Sequence, residues 1–225
     1  MDANYTLSGL IDRIRAKLKD ADYSESDIAQ FINDSYFDIL GEAHYQFLEK
    51  FYEATTQESG VLMLPMDFQT IIHLTATENN DEEAHSFIYK DPREFLSNNQ
   101  GSPLNFYRYT VFGNKLFYGI PNVEEDLDNG EDDELRYYTI KLFYLAKPKK
   151  LVNPNDKPVI PAEFGEALLL GALARAEQLR DNFDYAAIYS NKQDELITNM
   201  KLRYCPRQME GENRAKLPVF QRLRH

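Results

Sequence analysis

Between Pro158 and Tyr189 the chain reads PVIPAEFGEALLLGALARAEQLRDNFDYAAIY, and no other stretch restricts the fold as strongly. Pro161 suits the first turn of a helix, where a missing N–H leaves nothing unsatisfied. Phe164, Leu168, Ala172, Ala176 and Leu179 then recur at spacings of three and four, which predicts a helix buried along one face. Gly171, Ala172, Ala174 and Ala176 add small side chains, so a second helix can approach closely. The segment supplies a packing surface and no chemistry.

The same periodicity opens the chain. Leu7, Leu10, Ile11, Ile14 and Leu18 predict a first helix, and Ser24 followed by Asp27 announces a second through a capping box. Ile28, Phe31, Ile32, Ser35, Ile39 and Ala43 continue it, and it should fail near Phe47. A last helix is expected after Asn182 to Asp184, with Ala186, Tyr189, Gln193, Leu196, Ile197, Met200 and Tyr204 facing inward.

Between these helical ends the pattern shifts to short strand-like runs. FYEATT, VLMLP, TIIHLTAT, FYRYTVF, KLFYGIP and YYTIKLFYLA are separated by Gly, Pro, Asn or acidic residues. Gly113 and Asn114 predict a two-residue hairpin joining the fourth and fifth runs, with Tyr107, Tyr109 and Val111 on one side of the sheet. Asp91 and Pro92 start a short helical piece, DPREFLSNN, that ends at the Gly101 to Pro103 turn. Pro148, Pro154, Pro158 and Pro161 enforce an extended crossing before helix returns.

The fold class expected is therefore α+β, an antiparallel helical bundle built from N- and C-terminal helices, with an inserted β-rich module and an extended C-terminal arm. The boundaries are 1–48 for the first helices, 49–147 for the β module, 148–160 for the crossing, 161–205 for the last helices and 206–225 for a basic arm.

Charge separates this arm from the rest. The net charge is −12, but residues 201–225 hold seven Lys/Arg and two Asp/Glu, so a body of −17 carries a tail of +5. Such a body repels nucleic acid phosphates instead of gripping them. No apolar run reaches the roughly 18–20 residues that cross a bilayer, and the N-terminus alternates charged and apolar residues unlike a signal peptide. One cysteine, Cys205, excludes an intrachain disulfide or a cysteine-based zinc site.

Chemistry is hard to place. His44, His73, His85 and His225 are scattered and form no metal-ligand set, and no phosphate-binding glycine loop, nucleophile elbow or dinucleotide fingerprint is present. Residues 124–134, EEDLDNGEDDE, hold eight carboxylates, but Gly130 stands fifth from Asp126 where a calcium loop needs glycine at the sixth place. A solvated loop is the simpler account. Glu163 with Glu166, and Asp34 with Asp38, lie one helical turn apart and could act as acid/base pairs; solvated helix charge explains them as well. The 15 tyrosines could stack on sugars or bases, although strand propensity accounts for them without a ligand. Catalytic, cofactor and metal residues are accordingly expected to be absent.

Two blocks carry a family likeness. In DIAQFINDSYFDIL, Ile32, Asn33 and Tyr36 match a recurring helical INxxY pattern, and IPAEFGEALLLGALARAEQLRDNFDYAAIY adds the proline-initiated helix with its Ala/Gly stripe. With this order of elements the chain resembles the head-to-tail adaptor, connector or tail accessory proteins of tailed bacteriophages, short-tailed type, over most of residues 5–205. Members often carry an aromatic residue or His where Gly165 stands, and a Trp where this chain has Tyr45 and Phe47.

The resemblance implies a structural virion protein, made in the host cytoplasm and placed at the head–tail interface. It would form a homo-oligomeric ring, commonly of twelve copies, that docks on the portal protein and presents an attachment surface for tail, nozzle or fibre proteins. Genomic DNA would pass through the ejection channel without specific binding. Portal docking falls to Arg203, Arg207, Arg214, Lys216, Leu217, Val219, Phe220, Arg222, Leu223 and Arg224, and helix packing to Ile32, Tyr36, Phe164, Leu168, Gly171, Ala172 and Ala176. Two other functions remain open at this point: a β module that binds carbohydrate or a tail fibre, and a wall-degrading hydrolase.

Overall fold

A computed structural model describes residues 5–18, 23–57, 59–78, 83–98, 102–121 and 137–205. The acidic stretch 124–134 and the arm 206–225 lie outside the described residues, as does Gly101. The chain is α+β, with five α-helices and two sheets among the described residues. It divides into two compact units, one formed by the described residues of 1–50 and 145–206, the other by those of 51–144.

The first unit is built on four helices that share one core. Helix α1, Leu7–Leu18, buries all five residues of its predicted apolar stripe, Leu7, Leu10, Ile11, Ile14 and Leu18. Helix α2, Glu25–Gly41, starts at the expected capping box: Ser24 Oγ accepts from the Asp27 N–H at 3.2 Å, and Asp27 Oδ2 accepts from the Ser24 N–H at 3.0 Å. It stops at Gly41, before Ala43, so the expected continuation to Ala43 is too long by about half a turn. Close to Pro161 the chain first makes a 3-10 turn, Ala162–Phe164, and only then enters the α-helix that follows the central strands and a short helix of the second unit.

The second unit holds strands β1 (Glu49–Thr56), β2 (Gly60–Met63), β3 (Phe68–Glu78), β4 (Ala84–Ser86), β5 (Ile88–Tyr89), β6 (Arg108–Phe112), β7 (Lys115–Gly119) and β8 (Tyr138–Ala146), with helix α3, Pro92–Leu96, after β5. One sheet has the order β1-β8-β3-β4, the other β2-β7-β6-β5. The predicted hairpin forms: Phe112 pairs with Lys115 around Gly113, whose φ of 63° suits a residue without Cβ. Asp91 caps α3 by accepting from the Arg93 N–H at 2.9 Å.

Two sequence expectations need correction in this unit. Strands β4 and β5 were not anticipated, being three and two residues long. Tyr107 stands outside β6 with φ 51°, so strand alternation does not reach it and it does not share a face with Tyr109 and Val111 by that rule.

After β8 the chain returns to the first unit as helices α4, Gly165–Leu179, and α5, Phe183–Tyr204. Helix α4 packs against α1, α2 and α5. Phe164, Leu168, Ala172 and Ala176 are buried as the spacing predicts, but Leu179 is 66% exposed. The helix ends there: the Arg180 and Asn182 N–H groups both fold back on the Glu177 carbonyl, and Asp181 adopts φ 57°, so the last residue of the stripe swings out of the core. Ala186, Gln193, Ile197 and Met200 are buried on the inner side of α5, with Tyr189, Leu196 and Tyr204 packed partly buried beside them.

Candidate assembly surfaces

The interior of the first unit explains both sequence blocks. Asn33 is 2% exposed on an otherwise apolar face of α2. Its side chain grips the returning chain twice: Oδ1 accepts from the Leu151 N–H at 2.8 Å, and Nδ2 donates to the Leu151 carbonyl at 3.0 Å. One helical turn on, Tyr36 Oη accepts from the Val159 N–H at 3.2 Å, and burial pushes its phenol pKa up. The INxxY pattern is therefore a core residue, Ile32, followed by two clamps on the proline-rich crossing. Side chains that satisfy buried backbone groups do what a regular ladder would otherwise do.

Helix α1 holds the same segment from the other side. The Leu7 and Ser8 N–H groups donate to the Asp156 and Pro154 carbonyls at 2.9 and 3.0 Å, and Thr6 Oγ1 accepts from the Gly9 N–H at 3.3 Å, so three donors of the helix start are satisfied. Tyr5 Oη donates to the Ile160 carbonyl at 2.6 Å, and its ring occupies the space a Cβ on Gly165 would need, 3.0 Å from Cδ2 and nearer still to Cε2. Glycine at 165 makes room for Tyr5. Asp156 closes the turn by accepting from the Val152 and Asn153 N–H groups at 2.8 Å each, which holds its carboxyl below the ordinary Asp value.

Gly171 is the tightest point of the small-residue stripe. A Cβ there would lie 2.8 Å from Gln193 Cδ and closer still to Ser35 Oγ and Gln193 Nε2. Ser35 and Gln193 are hydrogen-bonded at 3.2 Å across this gap, which ties α2 to α5 over the backbone of α4. Ile32, Tyr36, Phe164, Leu168, Ala172 and Ala176 lie in the surrounding apolar core.

The paired carboxylates are divided among separate partners. Glu166 takes Arg13 and Lys17 of α1 at 2.8 and 2.9 Å, while Glu163 takes Arg203 at 2.8 Å and the Tyr204 hydroxyl at 2.6 Å. Asp38 pairs with Arg175, and Asp34 accepts from Gln30 at 2.6 Å. Apart from the Gln30–Asp34 bond within α2, these contacts tie separate elements together, and neither pair shares a partner. Of the tyrosines of the β module, Tyr109, Tyr118, Tyr138 and Tyr144 are buried, whereas Tyr52 and Tyr137 are exposed, and burial raises the Tyr109 phenol to about 12. Among the described residues no group of His, Cys, Asp or Glu could hold a metal ion, and no helix is long and apolar enough to cross a membrane.

Arg203 belongs to the last turn of α5, where its guanidinium also lies 5.6 Å from the Tyr204 ring centroid. Arg207, Arg214, Lys216, Leu217, Val219, Phe220, Arg222, Leu223 and Arg224 lie outside the described residues. Around the end of α5, Tyr45 stacks on Phe47 at 5.1 Å, and Tyr204 meets both Phe47 and Phe164 edge-on. This aromatic group packs around the last turn of α5.

The sequence names Ile32 and Tyr36 as packing residues, places Ser35 and Gln193 on inward helix faces and Asn33 in the INxxY pattern without giving any of the three a partner, and gives Tyr5 no role. The available signal was a polar residue inside an apolar helical stripe, which in a core has to find a partner.

The small-residue helix α4 thus packs among α1, α2 and α5, while Asn33 and Tyr36 hold the crossing segment. The family model of the SU10 adaptor protein matches residues 5–216. The chain belongs to the SU10 adaptor protein family. That makes this SU10-family chain a bacteriophage adaptor, a structural protein of the virion. None of the curated proteins matches it.

Proposed function

We propose that this adaptor works as one subunit of a ring at the head–tail junction of a short-tailed phage, docked on the portal and offering tail or nozzle proteins their attachment surface. The observation that carries this reading is the family match over residues 5–216, which includes both helical ends and the β module. The physical features agree with it. Helices α1, α2, α4 and α5, read as an antiparallel bundle, form a body tied together by ion pairs between elements far apart in sequence, and a body of this kind can act by shape alone, without catalysis.

The remaining roles follow from charge. The basic arm, net +5 over residues 201–225, orders on an acidic groove of the portal, with Leu217, Phe220 and Leu223 as apolar anchors. Acidic side chains toward the bore let DNA pass without sticking, because binding to DNA is driven by phosphate neutralisation.

The test is portal binding by the full chain and by a chain lacking residues 206–225. The full chain is expected to co-sediment with portal at micromolar concentration. The truncated chain should keep its circular dichroism and lose the interaction. Equal binding by the truncated chain would remove the arm from the mechanism, and no binding by either would remove the adaptor role on portal.

A further inference from the structure

Helix α5 exposes one flank that its own unit does not use. Tyr185, Ile188 and Lys192 follow at i, i+3 and i+7, so they form one row along the helix. Tyr185 is 55% and Ile188 48% exposed, and Lys192 has no ion-pair partner among the described residues. Single exposed apolar residues are ordinary on a protein surface. A row that ends in an unpaired cation is more specific, because it selects both the chemistry and the polarity of what can cover it.

A matching recess lies elsewhere on the same unit. Between α1, the start of α2 and the crossing segment is an open groove of about 280 Å³, with Ile11, Ala29, Val152 and Pro154 in its apolar lining and Asp12 and Glu25 in its polar lining. Glu25 already holds Arg15 at 3.2 Å. Asp12, exposed on α1, has no ion-pair partner among the described residues. The row and the groove therefore each combine apolar side chains with one exposed charge that has no ion-pair partner among the described residues, and the two charges are opposite.

Their placement decides how they could be used. Helix α4 packs against α1, α2 and α5, whereas α1 and α5 make no extensive contact with each other. The row and the groove thus lie on elements that do not pack on each other. Two different, complementary surfaces on one subunit make a head-to-tail contact when copies join through them, the kind that closes into a ring or propagates as a filament.

We propose that neighbouring copies of this chain join through the Tyr185–Ile188–Lys192 row of one copy and the Asp12 groove of the next, an assignment that rests on the ring reading above. Tyr185 and Ile188 fill the apolar lining, and Lys192 pairs with Asp12 at the rim.

The experiment uses two charge reversals in the full chain, Lys192→Glu and Asp12→Lys, with assembly on portal followed by native mass. Both positions are on the helix surface, and circular dichroism checks that each variant folds. In either variant alone like charges face each other at every contact, so each contact should weaken about tenfold and assembly should fail at concentrations where the unaltered chain assembles. Mixed in equal amounts, the two variants can alternate, because Lys192→Glu meets Asp12→Lys at one contact and the original pair meets at the next. The mixture, and the chain carrying both reversals, should assemble again.

Single variants that assemble like the unaltered chain would overturn the assigned surfaces while leaving the ring intact. Failure of both the mixture and the double variant would also overturn them, because the two positions would then not face each other. An unaltered chain that adds only one copy to portal would defeat the ring reading, and this contact with it.

Discussion

Replacing Asn33 by Ala should destabilise the first unit more than any other single truncation of a polar side chain within it. The side chain makes three hydrogen bonds, to the Ala29 carbonyl at 2.8 Å and to the Leu151 carbonyl and N–H at 3.0 and 2.8 Å. The Ala29 carbonyl remains within the hydrogen-bonded ladder of α2 when the side chain is removed, so that loss is small. Leu151, at 4% exposure, keeps neither partner. A buried donor or acceptor left unsatisfied costs about 1–3 kcal/mol, so Asn33→Ala should cost about 2–4 kcal/mol and lower the melting temperature of this unit by roughly 10–20 °C.

Asn33→Asp separates hydrogen bonding from volume. The new carboxyl still accepts from the Leu151 N–H, but when ionised it opposes the Leu151 carbonyl, which raises its pKa in the folded state above the unfolded one. A raised folded pKa means the penalty is smallest below the ordinary Asp value and grows as pH rises through it. Urea unfolding of both variants at about pH 4 and pH 7, followed by circular dichroism, reads both effects. An Asn33→Ala cost below about 0.5 kcal/mol, or an Asn33→Asp cost that does not change with pH, would refute the clamp.

Gly171→Ala should lower the stability of the same unit by about 1–3 kcal/mol through overpacking against Ser35 and Gln193, despite the helix propensity of Ala. Gly41→Ala, where a Cβ meets nothing within 4 Å, should leave it unchanged or slightly raised; equal behaviour of the two in thermal melts would contradict the close approach. Ser24→Ala should cost about 1 kcal/mol as a lost cap. The Ser24 hydrogen bonds hold the Asp27 pKa down, so this part of the stability is present above the ordinary Asp value and disappears as pH falls through the lowered one. Ser24→Ala should therefore flatten the acid slope of the unfolding free energy, and an unchanged slope would argue against the capping box as its source.

The helices were legible because each carries a long apolar period, as in Leu7 to Leu18 and Phe164 to Ala176, and a start signal such as Ser24–Asp27. The hairpin at Gly113–Asn114 was legible because its turn chemistry is local. What escaped depends on partners distant in sequence. Asn33 meets Leu151 across 118 positions, and nothing near Asn33 announces that partner. Strand β5 is two residues long and pairs in parallel with β6, too short for alternation to register. Leu179 fits the helical stripe by spacing, yet the turn at Arg180 and Asp181 ends the helix and exposes it. The groove between α1, α2 and the crossing segment exists only once elements distant in sequence have packed together, so it was invisible in the linear pattern even though each of its residues was in view.

Whether this adaptor acts by closing into a ring is tested most directly by native mass spectrometry of the full chain titrated into purified portal. The prediction is saturation at one fixed, multi-copy stoichiometry, with partly filled complexes scarce. A complex that gains a single copy, or a portal whose mass does not change, would contradict it.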